Sequence, residues 1–131
     1  MEESISTPTS TYSRRPDGII VQRIRPNVRQ ELKDAQENMV AFRRLAGGHK
    51  CLLLVDLRET GPTGAGVREY YAQHTELLSA SALLIGSSLG QIIGNFFLTL
   101  NRPVSPCRLF TSEAAALTWL RSQAVATTTT V

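Results

Sequence analysis

The chain has few of the side chains that most often catalyse reactions or bind metal ions. Its 131 residues include two cysteines, two histidines and three aspartates. Two cysteines are too few for a disulfide scaffold or a structural zinc cage. His49 and His74 have no evident partner ligands, and a metal site needs three or four. The sequence therefore indicates no metal, no cofactor and no Ser-His-Asp triad.

The chain also has only a small excess of charge of either sign. Fourteen lysines and arginines oppose eleven acidic residues, which gives a formal net charge of +3. A nucleic-acid-binding surface is more densely basic than that, so nucleic acid is not an expected partner. The first ten residues, MEESISTPTS, are acidic and polar, unlike a signal or transit peptide. We therefore expect the protein in the cytoplasm.

Charge is missing altogether from one long segment, Leu77–Leu100. Its 24 residues are long enough to cross a bilayer as a helix, and three of its glycines have the four-residue spacing of transmembrane dimers. Against a membrane span, the centre at 86–90 is rich in glycine and serine, and Asn95 would lie in hydrocarbon. We therefore predict a buried strand at 82–85 and a buried helix at 89–100, with no membrane span.

Turn and cap signals divide the first half of the chain. The segment Arg15–Gly18 predicts a tight turn between strands at 9–13 and 19–24, because proline presets φ and glycine accepts positive φ. Asn27 is the predicted N-cap of a helix that ends at Gly47. Apolar residues form one stripe along this helix: Val28, Leu32, Ala35, Met39, Phe42 and Ala46.

The second half alternates strands with helices. The apolar run Lys50–Leu57 predicts a central strand covered on both faces, and a helix from Val67 follows it. Beyond residue 100 come a strand at Cys107–Phe110 and a final helix capped by Ser112. The predicted order is ββαβαβαβα. This is an α/β fold with a mixed, mainly parallel sheet, an N-terminal β-hairpin and about four helices.

Composition also predicts the domain limits. Residues 1–10 are rich in serine and threonine, and four threonines precede the last residue. We expect disordered tails at 1–10 and 123–131, on either side of a single domain at 11–122.

A glycine-rich connection follows the predicted central strand, where open α/β sheets commonly bind ligands. Gly61 and Gly66 have the spacing of a P-loop, but Val67 and Arg68 replace the Lys-Ser/Thr pair that holds phosphate and magnesium. Glu69 occupies the third glycine position of a dinucleotide fingerprint. Two interpretations stay open, a flexible connection and an interaction or phospho-switch loop.

Asp56 ends the predicted central strand. A carboxylate there is a candidate catalytic base or phospho-acceptor, but a receiver-type acceptor needs companion acids, and the end of the strand at 19–24 supplies none. The alternative is that Asp56 caps the following loop through backbone N–H groups. Cys51 and Cys107 lie on predicted strands, where buried thiols are commonly inert packing groups.

Two parts of the sequence resemble a known family. The strand Leu54–Leu57, the loop at 61–66 and the helix from Val67 are similar to the middle of STAS domains, the SpoIIAA-like anti-sigma-factor antagonists. The stretch Gly94–Leu98 resembles more specifically a group of uncharacterised bacterial STAS-like proteins. That likeness continues through Asn101-Arg102-Pro103, Pro106, Leu109-Phe110-Thr111, Ala116-Leu117 and Trp119-Leu120.

The resemblance implies a small domain that binds other proteins and is not an enzyme. In STAS antagonists, a partner kinase phosphorylates a Ser or Thr at the start of the helix after the central strand, and this blocks docking. Thr63 is the best match for that position, although small residues replace the usual acidic-Ser-Ser run. Related SpoIIAA-like domains also resemble CRAL-TRIO lipid carriers in fold.

The predicted helix at 89–100 is apolar on every side, so its outer face needs cover from a partner or a second copy. We therefore predict a regulatory protein–protein interaction module, as a homodimer or part of a complex, that docks through this helix and the loop at 59–66. The alternative is a carrier of a lipid or small hydrophobic ligand, with its pocket between the helix and the sheet. The predicted partner-binding residues are Arg58, Thr63, Arg68, Ile93, Phe96, Phe97 and Arg102.

Overall fold

A computed structural model of the protein describes residues 3–60, 63–86 and 105–129, the last five of these by their backbone alone. Within these ranges lie six strands and three helices. In chain order they are β1 (Ser4–Ser6), β2 (Ser10–Arg14), β3 (Ile20–Ile24), α1 (Leu32–Ala46), β4 (Cys51–Asp56), α2 (Val67–Gln73), β5 (Leu78–Leu84), β6 (Cys107–Phe110) and α3 (Glu113–Thr129).

The six strands form one sheet, in which the spatial order of the strands equals their order along the chain. The β1–β2 and β2–β3 pairs are antiparallel, and all pairs from β3 to β6 are parallel. Leu54 of β4 pairs with Val21 of β3 and with Ala82 of β5. Parallel neighbours need crossover connections, which α1 and α2 supply on either side of β4. The predicted α/β class with a mixed, mainly parallel sheet is confirmed.

The sheet has an apolar core on each face, as the continuous apolar run of β4 predicts. The helix α3 covers one face, and α1 and α2 lie on the other. Leu54 faces α3 and Leu53 faces α1, because successive strand residues alternate between the two faces. Ala116, Leu117 and Leu120 of α3 complete the first core.

The predicted β-hairpin is also confirmed. β2 and β3 pair from Arg14 opposite Ile20 to Ser10 opposite Ile24. In the turn, Gly18 has a φ of 89°, a value that few other residues adopt without strain. Its N–H donates to the Arg15 carbonyl at 2.9 Å.

The start of α1 differs from the sequence prediction. Asn27 is not the N-cap, since its backbone is left-handed, with a φ of 59°. Asparagine tolerates this conformation better than most residues, and it allows the Asn27 N–H to donate to the Glu59 carbonyl at 3.1 Å. The helix begins at Leu32 with Glu31 as its N-cap. The Glu31 N–H donates to Asp34 Oδ2 at 2.8 Å.

The rest of α1 follows the predicted pattern. Gly47 ends the helix in a left-handed conformation, and its N–H donates to the Arg43 carbonyl at 3.1 Å. Two positions of the predicted stripe fall outside the core, because Val28 precedes the helix and Leu32 is 40% exposed. The buried positions of the stripe are Ala35, Met39, Phe42 and Ala46.

The ends of the described chain are more regular than their composition suggests. Ser4–Ser6 forms an edge strand on β2, within the segment for which we expect a disordered tail. Ile5 packs against the core on the α1 face, and Thr9 is buried, so tertiary contacts order this polar segment. The backbone of α3 continues to Thr129, through most of the expected tail at 123–131.

The uncharged segment begins as a strand. β5 occupies Leu78–Leu84, so no single helix runs from residue 77 to residue 100. The predicted strand at 82–85 overlaps the second half of this longer strand, and Ile85 lies just beyond its end. The predicted helix at 89–100 lies outside the described residues. Among the residues that are described, no helix is long and apolar enough to cross a membrane.

Candidate functional site

The candidate site lies at the edge of the sheet where β3, β4, β5 and β6 end, which we call the carboxyl edge. In open α/β sheets, this is the edge at which ligands and partners most often bind. Four charged residues meet here from three elements and one loop. Arg23 is the penultimate residue of β3, Asp56 ends β4, Arg58 follows it in the loop, and Glu113 is the first residue of α3.

Asp56 is at the centre of this charged cluster. Both Arg23 Nη1 and Arg58 Nη2 donate to Asp56 Oδ2, at 2.8 Å and 2.9 Å. Arg58 donates to the other oxygen, Oδ1, from Nε at 3.0 Å and from its backbone N–H at 3.1 Å. Arg23 Nη1 also donates to Glu113 Oε1 at 3.0 Å. Every oxygen of the Asp56 carboxylate therefore accepts at least one hydrogen bond.

The arrangement keeps both carboxylates ionised. Hydrogen bonds from the Arg58 side chain hold the pKa of Asp56 below its ordinary value, against the opposing effect of burial, and Arg23 adds to the effect. Hydrogen bonds from Arg23 likewise lower the pKa of Glu113. Only 13% of the Asp56 side chain is exposed, whereas 47% of Arg23 and 44% of Arg58 are exposed. The two arginines thus present fixed guanidinium groups at the surface.

Two loops lie side by side at the carboxyl edge and are joined by backbone contacts. The Asn27 N–H donates to the Glu59 carbonyl at 3.1 Å, and the Gly64 N–H donates to the Gln30 carbonyl at 2.7 Å. Gln30 and Thr63 form an isolated parallel bridge. The loop after β4 is therefore attached to the segment before α1.

A shallow depression of about 300 Å³ opens beside the charged cluster. Ile24, Asp56, Arg58 and Glu59 line it. Its walls are mostly charged, so it suits a polar side chain of a partner better than an apolar ligand.

Comparisons with known proteins agree with this fold. A family model described as a domain of unknown function, DUF7793, matches residues 12–124. The chain belongs to the DUF7793 family. An uncharacterised protein of the DUF3478 family from Shewanella loihica PV-4, described as having a SpoIIAA-like fold, has a TM-score of 0.62. It is 11% identical, with 92% of each chain covered.

A second solved structure, a protein of unknown function from Arthrobacter sp. FB24, is 30% identical over 84% of this chain and 97% of that chain, with a TM-score of 0.31. A search of the curated proteins finds no match. The SpoIIAA-like fold that the sequence predicts for this DUF7793 domain is therefore confirmed, and its function is not assigned by these likenesses.

The structure brings some of the predicted site residues to the carboxyl edge. Arg58 lies in the charged cluster, Thr63 is half-buried beside Gln30, and Arg68 is exposed in the first turn of α2. The remaining predicted residues lie outside the part of the chain that is described: Ile93, Phe96, Phe97 and Arg102.

Of the two interpretations of Asp56, the structure confirms the loop cap, but the sequence does not reveal the other partners of this carboxylate. Asp56 caps the following loop through the Arg58 N–H, as expected. The contributions of Arg23 and Glu113 were missed, because Arg23 reads as an outward strand residue and Glu113 as an ordinary first-turn acid. The sequence does hold one signal for them. Arg23 lies near the end of a strand and Glu113 at the start of a helix, and both positions fall at the carboxyl edge of a parallel sheet.

Among the residues that the structure describes, neither the thiols nor the potential metal ligands are arranged for reaction or for metal binding. Burial raises the pKa values of Cys51 and Cys107, which disfavours the reactive thiolate form. Within the described ranges, no group of three histidine, cysteine, aspartate or glutamate side chains is placed to hold a metal ion.

Proposed function

We propose that this DUF7793 domain is a non-catalytic regulatory module that binds another protein at its carboxyl edge. The observation that carries the proposal is the state of Asp56. A general base must accept a proton, but two arginines hold this carboxylate ionised and lower its pKa. The cluster is suited to fixing charges in place and not to moving protons.

Fixed surface charges favour specific docking. Holding Arg23 and Arg58 against Asp56 removes much of the entropy that flexible side chains lose when a partner binds. Exposed charges at an interface chiefly set the orientation and rate of association. Arg68, exposed in the next helix, extends this surface.

Thr63 offers a means of regulation within the same surface. Its neighbour Gly64 lies against the Glu31 carboxylate, so a phosphate on Thr63 would add negative charge near an existing one. We expect phosphorylation there to displace the loop and weaken docking.

The sequence-based part of the proposed surface is the helix predicted at 89–100. Ile93, Phe96, Phe97 and Arg102 would add an apolar contact to the charged edge. Phe97→Asp is expected to abolish association and to leave the monomer folded. An unfolded variant would show instead that this side chain belongs to the core.

The charged surface is tested by reversing one charge at a time. Wild-type protein immobilised on a resin should retain a defined protein partner from host lysate. Arg68→Glu should weaken that binding by about tenfold or more. Arg44→Glu is the matched control, since Arg44 is exposed in the last turn of α1, at the opposite edge of the sheet. Equal binding by both variants would contradict docking at the carboxyl edge.

Native mass spectrometry of the purified protein distinguishes the proposed binding module from the alternative function, a lipid carrier. A second copy bound through the same surface would appear as a dimer that Arg68→Glu dissociates. A co-purifying apolar ligand on a monomer would favour the lipid-carrier alternative and would contradict the proposal.

A further inference from the structure

A continuous chain of polar side chains passes through the interior between α1, α2 and the sheet. Thr7 Oγ1 donates to Asn38 Oδ1 at 2.6 Å, Asn38 Nδ2 donates to Tyr71 Oη at 3.0 Å, and Tyr71 Oη donates to Gln30 Oε1 at 2.8 Å. Asn38 is 0% exposed and Gln30 is 1% exposed. Loss of a partner at such a buried position leaves a polar group unpaired at a cost in free energy, so each bond constrains the next.

One end of this polar chain is attached to the loop at the carboxyl edge. The Gln30 carbonyl accepts the Gly64 N–H at 2.7 Å, and the Gln30 backbone pairs with Thr63. A Cβ added at Gly64 would come within 2.9 Å of Glu31 Cδ, so the loop packs closely against this segment. A displacement of Thr63 and Gly64 therefore also displaces Gln30.

The other end is attached to the edge strand β1. Thr7 directly follows β1, and its Oγ1 accepts the Ser10 N–H at 3.0 Å in addition to donating to Asn38. β1 has three residues, of which Ile5 packs against the core. A strand this short gains stability from its tertiary contacts, and the bond from Thr7 to Asn38 attaches the residue after β1 to α1.

We propose that this polar chain couples the carboxyl edge to β1, so that a partner that displaces the loop at 63–66 loosens β1 from β2. The identity of that loop as a docking site rests on the proposed function. The coupling itself is a property of the isolated domain. Docking would then be transmitted as release of an edge strand, a surface that can pair with a further chain.

Amide hydrogen exchange followed by NMR tests the coupling without a partner. The Arg14 N–H donates to the Glu3 carbonyl at 2.9 Å and therefore reports the attachment of the β1 segment to β2. Gly64→Pro removes the N–H that donates to the Gln30 carbonyl and so detaches the loop, and it is expected to accelerate exchange at Arg14 by about fivefold or more. Tyr71→Phe removes the hydroxyl that links the two ends, so Gly64→Pro should have no additional effect in that variant.

Two controls make the experiment decisive. Tyr70→Phe removes a neighbouring hydroxyl outside the polar chain, and the effect of Gly64→Pro should persist in that variant. The Leu57 N–H, which donates to the Leu84 carbonyl at 2.8 Å, reports the central strands and should be unaffected.

Three results would overturn the coupling. They are unchanged exchange at Arg14 in Gly64→Pro, an equal effect of Gly64→Pro with and without the Tyr71 hydroxyl, and equal acceleration at Arg14 and Leu57. None of these depends on the identity of a partner. Failure of the coupling is thus distinguishable from failure of the docking proposal, which the Arg68→Glu comparison tests.

Discussion

At the scale of single residues, Asp56 shows how one side chain serves both the local backbone and the whole domain. Its position after an apolar run is enough to predict a loop cap, because an Asx turn involves only neighbouring residues. Its bond to Arg23 connects two strands, and Arg23 in turn reaches Glu113 on α3, 90 positions away. Sequence spacing carries no information about such a distant pair.

The charged cluster predicts a loss of stability in acid. The pKa values of Asp56 and Glu113 lie below their ordinary values of 3.8 and 4.5, so the unfolded chain binds more protons than the folded protein over that range. The stabilisation is fully present above about pH 5 and is lost as the pH falls through the lowered pKa values. Urea unfolding at a series of pH values should show this decrease.

Asp56→Asn identifies the group responsible. Asparagine does not titrate, so the decrease in acid should be smaller, and at neutral pH the variant should lose about 1–3 kcal/mol of unfolding free energy, because Arg23 and Arg58 lose a shared acceptor. Asp17→Asn, at an exposed site where Arg15 and Arg121 pair with the carboxylate, should cost less than about 1 kcal/mol. Equal losses of unfolding free energy in the two variants would show that the charged cluster stabilises the domain no more than an exposed ion pair does.

At the scale of elements, the sequence predicts the body of each helix better than its start. In α1, the apolar stripe and the glycine at the end follow from a 3.6-residue period and from the backbone freedom of glycine. The start does not, because Asn27 suits both an N-cap and a left-handed turn. The contact of Asn27 with Glu59, on another loop, selects the second of these.

The two possible starts of α1 predict opposite results. With Glu31 as the N-cap, Asp34→Ala should lower the unfolding free energy by about 0.5–2 kcal/mol, since it removes the acceptor of the Glu31 N–H. Asn27→Gly should leave stability unchanged or slightly higher, because glycine accepts a positive φ without strain. Chemical denaturation measures both. A loss of a few tenths of a kcal/mol in Asn27→Gly, with none in Asp34→Ala, would instead support Asn27 as the cap.

At the scale of the whole molecule, the sheet has helices on both faces and β4 passes through its middle. Leu54 of β4 is 0% exposed, between Val21 and Ala82 of the neighbouring strands and beneath α3. The apolar run of β4 predicts this environment, because a strand with one wet face would alternate polar and apolar residues.

Leu54→Ala should therefore be among the most destabilising truncations in the described core. The cavity that it leaves is expected to cost about 2–5 kcal/mol of unfolding free energy. Val40→Ala is the matched control, because Val40 is 57% exposed on α1 and its truncation should change stability by about 0.5 kcal/mol or less. Thermal and urea unfolding measure both losses of unfolding free energy. Similar losses in the two variants would contradict the central position of β4.

The amino-acid order alone was sufficient for the fold class, the β2–β3 turn, the buried stripe of α1 and the cap at Asp56, since each depends on residues within a few positions of one another. Three features emerged only when the chain was assembled: β1 on the sheet, the left-handed Asn27, and the meeting of Arg23 with Glu113. The last two depend on contacts between segments far apart in the chain, which the order of strands in the sheet brings together and which no local pattern specifies. β1 pairs with its neighbour β2, but the packing of Ile5 against the core on the α1 face orders it, and the polar local sequence does not reveal that packing.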